Sequence, residues 1–434
     1  MSVPHAQSRR SFLGRLAGLA SVGSMVPELT SRAVVVAMAR AESDAAPAPG
    51  RPVVAPFHIA IPEPVLADLR DRLARTRWPD ASPADGWAQG TNLAYLRGLT
   101  EYWRTGFDWR KHEQRLNALP QFQAEVAGHR LHFVHVRGRG PKPLPLILTH
   151  GWPSSFAEFE KIIPLLTDPA AHGGDAADAF DVVAPSLPGY GFSARPAEPG
   201  MTTTVIAALW SQLMTRHLGY ARFCAHGGDI GAGVTNRLGL YHAEVLHGIH
   251  VMAALPPWLG PGAAPQSPAE WSYRAVLEAW EQDEEAYGHL QRTRPQTIAY
   301  GMHDSPAALA AWIVEKLRSW SDCGGDIGNR FTPDQLLTGL TIYWATETFG
   351  SSVRLYYDGA RFSPPIGPDD RIRVPAAIAL TTEAVNRVPR ERAERSYTNI
   401  RQWTEFPRGG HFMAHEEPAL LADDLRDFFR RFRS

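Results

Sequence analysis

Asp229 sits in the run Cys224-Ala225-His226-Gly227-Gly228-Asp229-Ile230-Gly231-Ala232-Gly233, which reads as an apolar strand, a glycine-flanked turn and a helix start. A sharp strand-to-helix turn lifts its central side chain clear of the backbone, and a serine is the usual occupant. Here it is a carboxylate. A carboxylate attacks carbon without a base to deprotonate it, and the ester it forms must then be hydrolysed by an activated water. The substitution points to alkyl transfer rather than acyl transfer.

Water activation requires a base, and the chain has 17 histidines. His411, in Arg408-Gly409-Gly410-His411-Phe412, stands out by position: a predicted strand ends just before it and a C-terminal helix follows. An acid that fixes its tautomer and stabilises the imidazolium completes such a set. Glu383 follows directly after the apolar run Ile378-Ala379-Leu380, which favours it over its neighbours Glu405 and Glu416. The order Asp229, Glu383, His411 is that of nucleophile, acid and histidine in α/β-hydrolases.

His150-Gly151-Trp152-Pro153 ends the first buried strand and would place a backbone N–H in the same crevice. Together with the N–H of Ile230 at the helix start, the amide of Trp152 is predicted to form an oxyanion hole; the indole could otherwise simply fill core. Alkyl transfer also benefits from a proton donor at the leaving oxygen, and a phenol stays protonated at neutral pH. Tyr287 and Tyr356 are candidates in the helical region between the sheet segments, although alone each reads as a packing residue. Tyr357 leaves a one-residue ambiguity beside Tyr356.

The elements that must hold these groups alternate. Leu144–His150 is a continuous apolar run expected of a strand covered on both faces. Then come a helix around 156–166, a strand at 180–184, a helix at 203–218, a strand at 221–225, a helix from Ile230 and a strand at 245–252. Strands alternating with helices mean right-handed crossovers and a mainly parallel sheet. From 255 to 357 only helical patterns occur, such as 305–320 and 332–349, as expected of a cap inserted over the strand ends. The alternation resumes with strands at 373–380 and 397–404 and a closing helix at 417–432. Residues 53–140 read as an arm or meander packed on a core made elsewhere. It has helices through 64–73 and 93–103 and no strand pattern before 130–136.

A formal charge of −1 on 434 residues gives no field that would recruit nucleic acid or an acidic membrane. Thirty-six prolines and thirteen tryptophans suggest many fixed turns around an aromatic-lined pocket. The two cysteines, Cys224 and Cys323, imply no disulfide framework, though a bridge between them stays open. Ser8-Arg9-Arg10-Ser11-Phe12-Leu13-Gly14 resembles a twin-arginine export motif, with a cleavage-like Ala39-Arg40-Ala41 after it. Glu28 and Arg32 interrupt the apolar stretch, whereas a membrane span needs about 20 apolar residues. The division expected is a signal at 1–41, a linker at 42–52, the arm at 53–140, sheet core at 141–254, cap at 255–357 and core again at 358–434. Export to the periplasm or beyond follows, with no stable membrane span.

Taken together, these segments resemble the microsomal-type epoxide hydrolases, the group that includes insect juvenile hormone epoxide hydrolases. The resemblance runs from Pro56 to the C-terminus. It rests on Tyr102-Trp103-Arg104, Phe107-Asp108-Trp109, His150-Gly151-Trp152-Pro153, Ile162-Ile163-Pro164-Leu165-Leu166, Pro188-Gly189-Tyr190-Gly191-Phe192-Ser193, Gly227-Gly228-Asp229, Asp304-Ser305-Pro306 and Gly409-Gly410-His411-Phe412. It implies an α/β-hydrolase fold with a helical cap and an N-terminal arm. It also implies Asp229 as nucleophile, His411 as base, Glu383 as its acid, and Tyr287 and Tyr356 as donors to an epoxide oxygen, with Trp152 and Ile230 as oxyanion donors. The partners implied are a small hydrophobic epoxide and water, with no metal or organic cofactor; a homodimer is left open. A haloalkane or haloacetate dehalogenase is the competing reading, since it shares the Asp–His machinery. A binding protein on a catalytically dead scaffold is a third.

Overall fold

A computed structural model of the chain describes residues 53–84, 86–260 and 264–433. The export-like segment and the linker lie outside the described residues. Nine strands form one sheet in the order β1-β2-β3-β5-β4-β6-β7-β8-β9. The central and C-terminal strands are parallel: β4 (Leu144–Thr149), β5 (Phe180–Pro185), β6 (Phe223–Gly227), β7 (Leu246–Val251), β8 (Ala376–Leu380) and β9 (Ile400–Glu405).

Side chains of neighbouring strand residues point to opposite faces, and both faces here are covered. Ile147, Ala225, Ile249 and Ile378 pack with Trp210 and Leu238 on one side. Leu146, Leu148, Cys224, Ala377 and Ala379 pack with Leu425 and Phe428 of the C-terminal helix Pro418–Phe429 on the other. That double coverage is why these strands read as unbroken apolar runs. It also leaves the C-terminal strand ends as the open edge where loops can carry chemistry.

The arm is more than a packed extension. It contributes β1 (Val54–Phe57), β2 (Gln121–Val126) and β3 (His129–Val136), joined antiparallel to one another and to β5. The expectation of no strand before residue 130 is corrected on this point. β1 is short and contains Pro56, and β2 alternates Gln121, Gln123 and Glu125 with apolar residues, so neither carries the apolar run of a central strand.

The arm's helices grip the cap. Asp108 caps the helix Trp109–Asn117 by accepting from the N–H groups of Arg110 and Lys111, which explains the Phe107-Asp108-Trp109 string. Buried Trp103 donates its indole N–H to Thr341 Oγ1 at 3.0 Å, and Tyr102 donates to Asp334 at 2.7 Å. Removing Thr341's hydroxyl would orphan a buried donor at a cost of about 1–3 kcal/mol.

The cap contains the helices Pro268–Asp283, Ala286–Thr293, Pro295–Asp304, Pro306–Trp320, Pro333–Thr346 and Phe349–Phe362. The helix expected over 332–349 runs over Pro333–Thr346 and is divided from the next, which starts at Phe349, because Glu347 takes a left-handed conformation at φ 53°. The helix expected over 156–166 is likewise divided, into a 3-10 turn Phe156–Phe159 and a helix Ile162–Thr167. Cys224 and Cys323 are both buried and free. Among the described residues, no helix is long and apolar enough to cross a membrane.

Candidate active site

β6 ends in the elbow, and Asp229 takes φ 49°, a left-handed conformation that a non-glycine residue adopts only where its surroundings enforce it. The enforcement is steric. A Cβ on Gly231 would lie 1.9 Å from the Thr149 carbonyl oxygen, so only glycine lets the helix Asp229–Tyr241 abut the end of β4. A Cβ on Gly151 would lie 2.2 Å from Asp229 Oδ1. With that space free, the backbone N–H of Trp152 donates to Asp229 Oδ1 at 2.9 Å. Ile230 follows in the first helical turn, where N–H groups have no acceptor within the helix. Among the described residues, Trp152 is the one backbone donor recorded on the Asp229 carboxylate.

His411 faces Asp229 from the loop after β9. Its Nε2 lies 3.7 Å from Asp229 Oδ2, and its Nδ1 is 2.9 Å from Glu383 Oε2. The Glu383 carboxylate therefore accepts the Nδ1 proton and leaves Nε2 directed at Asp229. Burial disfavours the imidazolium, but the charge and hydrogen bond of Glu383, with Asp229 and Glu158 nearby, outweigh it and lift His411 to about 9.

The competing acids are placed elsewhere. Glu405 is exposed, beside Arg387. Glu416 is buried and accepts the backbone N–H groups of Asp322, Gly410 and Phe412 at 2.8–3.0 Å, tying the His411 loop to the cap.

The tyrosines converge from two cap helices. Tyr287, in Ala286–Thr293, stacks on the Trp152 indole at 5.4 Å and 9°. Tyr356, in Phe349–Phe362, meets Tyr287 edge-on, with ring centroids 6.1 Å apart. Burial pushes both phenols well above their ordinary range, so both stay protonated as donors. Tyr357 lies under the Arg361 guanidinium at 3.5 Å, whereas Tyr356 is the one of the two that packs on Trp152 and Tyr287.

Residues 54–159 match the family described as "Epoxide hydrolase N terminus", and residues 145–275 match the alpha/beta hydrolase fold. A Stigmatella aurantiaca (strain DW4/3-1) protein provisionally named an epoxide hydrolase is 43% identical over 386 residues, covering 88% of this chain and 86% of that protein. Epoxide hydrolase 1 of Oryctolagus cuniculus is 33% identical over 404 residues, covering 86% and 88%. The crystal structure of juvenile hormone epoxide hydrolase from Bombyx mori superposes with a TM-score of 0.79 at 29% identity, covering 88% of this chain and 95% of that one. The chain belongs to the microsomal and juvenile hormone type of epoxide hydrolase.

As an epoxide hydrolase it brings Asp229, His411, Glu383, Trp152, Tyr287 and Tyr356 together at one strand-end crevice. Sequence reasoning missed other groups there. Trp320, at the end of a cap helix, packs on His411 with ring centroids 5.0 Å apart and accepts the His411 backbone N–H through its carbonyl at 2.9 Å. Below the elbow, His226 Nδ1 meets His250 Nδ1 at 3.0 Å, and His250 Nε2 meets Asp424 at 2.8 Å. The third is Glu158, on the 3-10 turn after Trp152. It shares a cavity of about 10 Å³, about the room of one water, with Asp229, His411 and His226. No motif signals Glu158, which in sequence is one acid in an aromatic-rich segment.

Proposed function

We propose that this epoxide hydrolase converts hydrophobic epoxides to vicinal diols through an ester on Asp229. The observation that best supports this reading is the convergence of two sets of groups around Trp152, whose backbone N–H holds Asp229 and whose indole packs against both tyrosines. One set is a carboxylate facing a histidine oriented by Glu383; the other is a pair of phenols.

Tyr287 and Tyr356 hydrogen-bond the epoxide oxygen while Asp229 attacks a ring carbon. A C–O bond forms to Asp229, the ring C–O bond breaks, and the ring oxygen takes a proton from a tyrosine. His411 then removes a proton from water, whose oxygen adds to the Asp229 carbonyl carbon. The Trp152 and Ile230 amides hold the charge of the tetrahedral intermediate. Collapse expels the diol oxygen, which takes the proton from His411. The water's second proton, left on the Asp229 carboxyl, restores the tyrosine.

Charge changes keep these steps in order. With Asp229 ionised, its charge adds to that of Glu383 in favouring imidazolium. Esterification removes the Asp229 charge, the affinity of His411 for its proton falls, and a base is available only once there is an ester to hydrolyse. The aromatic wall of Trp152, Trp320, Tyr287 and Tyr356 favours apolar substrates over sugars or charged metabolites.

Incubation with an aryl epoxide and, separately, a chloroalkane tests the reading. Diol formation without halide release is expected; halide release without diol contradicts it and supports dehalogenation. We also propose export of the folded chain, supported by Arg9-Arg10 with Phe12 and Leu13. N-terminal sequencing of protein recovered outside the cytoplasm should begin beyond the Ala39-Arg40-Ala41 site; uncleaved protein confined to the cytoplasm contradicts this.

A further inference from the structure

Glu158 takes no part in the steps above, yet it lines the space beside Asp229 and His411 where water must act. It lines the one-water cavity with Asp229 and His411. With Ser154 and Phe412 it also lines an adjoining cavity of about 270 Å³ between the cap and the core. Glu158 is half-buried and lines both cavities. Burial lifts the carboxyl to about 7, opposed by the Ser154 hydroxyl and by His411 and reinforced by Asp229 and Glu416.

A water in such a space is held by two to four polar partners. His411 Nε2 is one, because it is buried, has no hydrogen-bond partner, and stands too far from Asp229, at 3.7 Å, to bond it directly. Glu158 supplies a second, on the wall of the same cavity. We propose that Glu158 is a positioning residue for the hydrolytic water, accepting one of its hydrogen bonds while His411 Nε2 accepts the other, so that the water oxygen faces the Asp229 ester. This rests on the reading of Asp229 as nucleophile.

The two half-reactions separate this role from a purely structural one. Rapid mixing of the full chain with an aryl epoxide, with mass analysis of quenched samples, gives the rates of ester formation and ester loss. In Glu158→Leu, which keeps volume but not polarity, ester formation stays within about twofold of wild type. Ester loss slows about 10- to 100-fold, as expected for a misplaced reactant, and the ester accumulates. Glu158→Gln, which can still accept a hydrogen bond, restores ester loss to within about fivefold of wild type.

Unchanged ester loss in Glu158→Leu overturns the proposal. So does an equal fall in both steps, or a Glu158→Gln enzyme as slow as Glu158→Leu. Absence of any Asp229 adduct in wild type and both variants is a different result, and it removes the nucleophile reading instead.

Discussion

The charged half of the site and its neutral half are held in different ways. Asp229, Glu383 and His411 stand just beyond strand ends, placed by backbone constraints: a left-handed Asp229, glycines at 151 and 231 that nothing larger can replace, and Glu416 pinning the His411 loop to the cap through three amides. Tyr287 and Tyr356 stand on cap helices, placed by the faces of aromatic rings around Trp152. A backbone-built half tolerates almost no change in geometry. A ring-packed half can be reshaped by exchanging side chains of the cap, which suits it to selecting substrates. The arm links the two, since Trp103 and Tyr102 fasten the cap to the strands the arm adds.

Substitutions that act on one half only can break this comparison. Asp229→Ala is expected to lower turnover by about 10⁴-fold or more and abolish the ester, as loss of a nucleophile does; substantial residual turnover through an intact tyrosine pair breaks it. His411→Ala should slow ester hydrolysis by about 10²–10⁴-fold while ester formation persists, so that the adduct accumulates in quenched samples. Tyr287→Phe and Tyr356→Phe should each slow ester formation about 10²-fold and leave hydrolysis of preformed ester near wild type, whereas Tyr357→Phe changes neither. If Tyr357→Phe proves as damaging as Tyr356→Phe, the assignment of helix faces is wrong.

Two pH effects sharpen the comparison further. Ester hydrolysis should rise with pH to a midpoint below about 9, because the ester lacks the Asp229 charge that helps lift His411 to that value; a midpoint at or above 9 contradicts the switch. The smallest effect is on stability. His411 is raised from 6.5 to about 9 in the folded chain, so the stability it contributes is fully present below about 6.5 and is lost as pH rises through 9. The melting temperature of wild type should exceed that of Glu383→Gln at pH 6, and the gap should shrink by pH 9.5.

The two halves were also unequally legible in the sequence. Asp229 and His411 announce themselves through glycine-flanked turns, since backbone constraint leaves a residue-type signature. Glu383 was legible from its place after β8, and the structure puts it, not Glu405 or Glu416, on His411. The tyrosines were legible only through family resemblance, because ring packing across helices distant in sequence leaves no local pattern. Glu158, one acid in an aromatic-rich segment, had no motif to mark it. In the fold, doubly covered strands were readable as apolar runs, while β1 and β2 at the sheet edge carried too little apolar signal. The break at Glu347 had no glycine to mark it.

A transient ester on Asp229 is tested most directly by a single turnover with excess enzyme in heavy-oxygen water, followed by mass analysis of the peptide carrying Asp229 and of the diol. One heavy oxygen in the Asp229 carboxylate and none in the diol is the result expected. Heavy oxygen in the diol with Asp229 unlabelled would contradict the account.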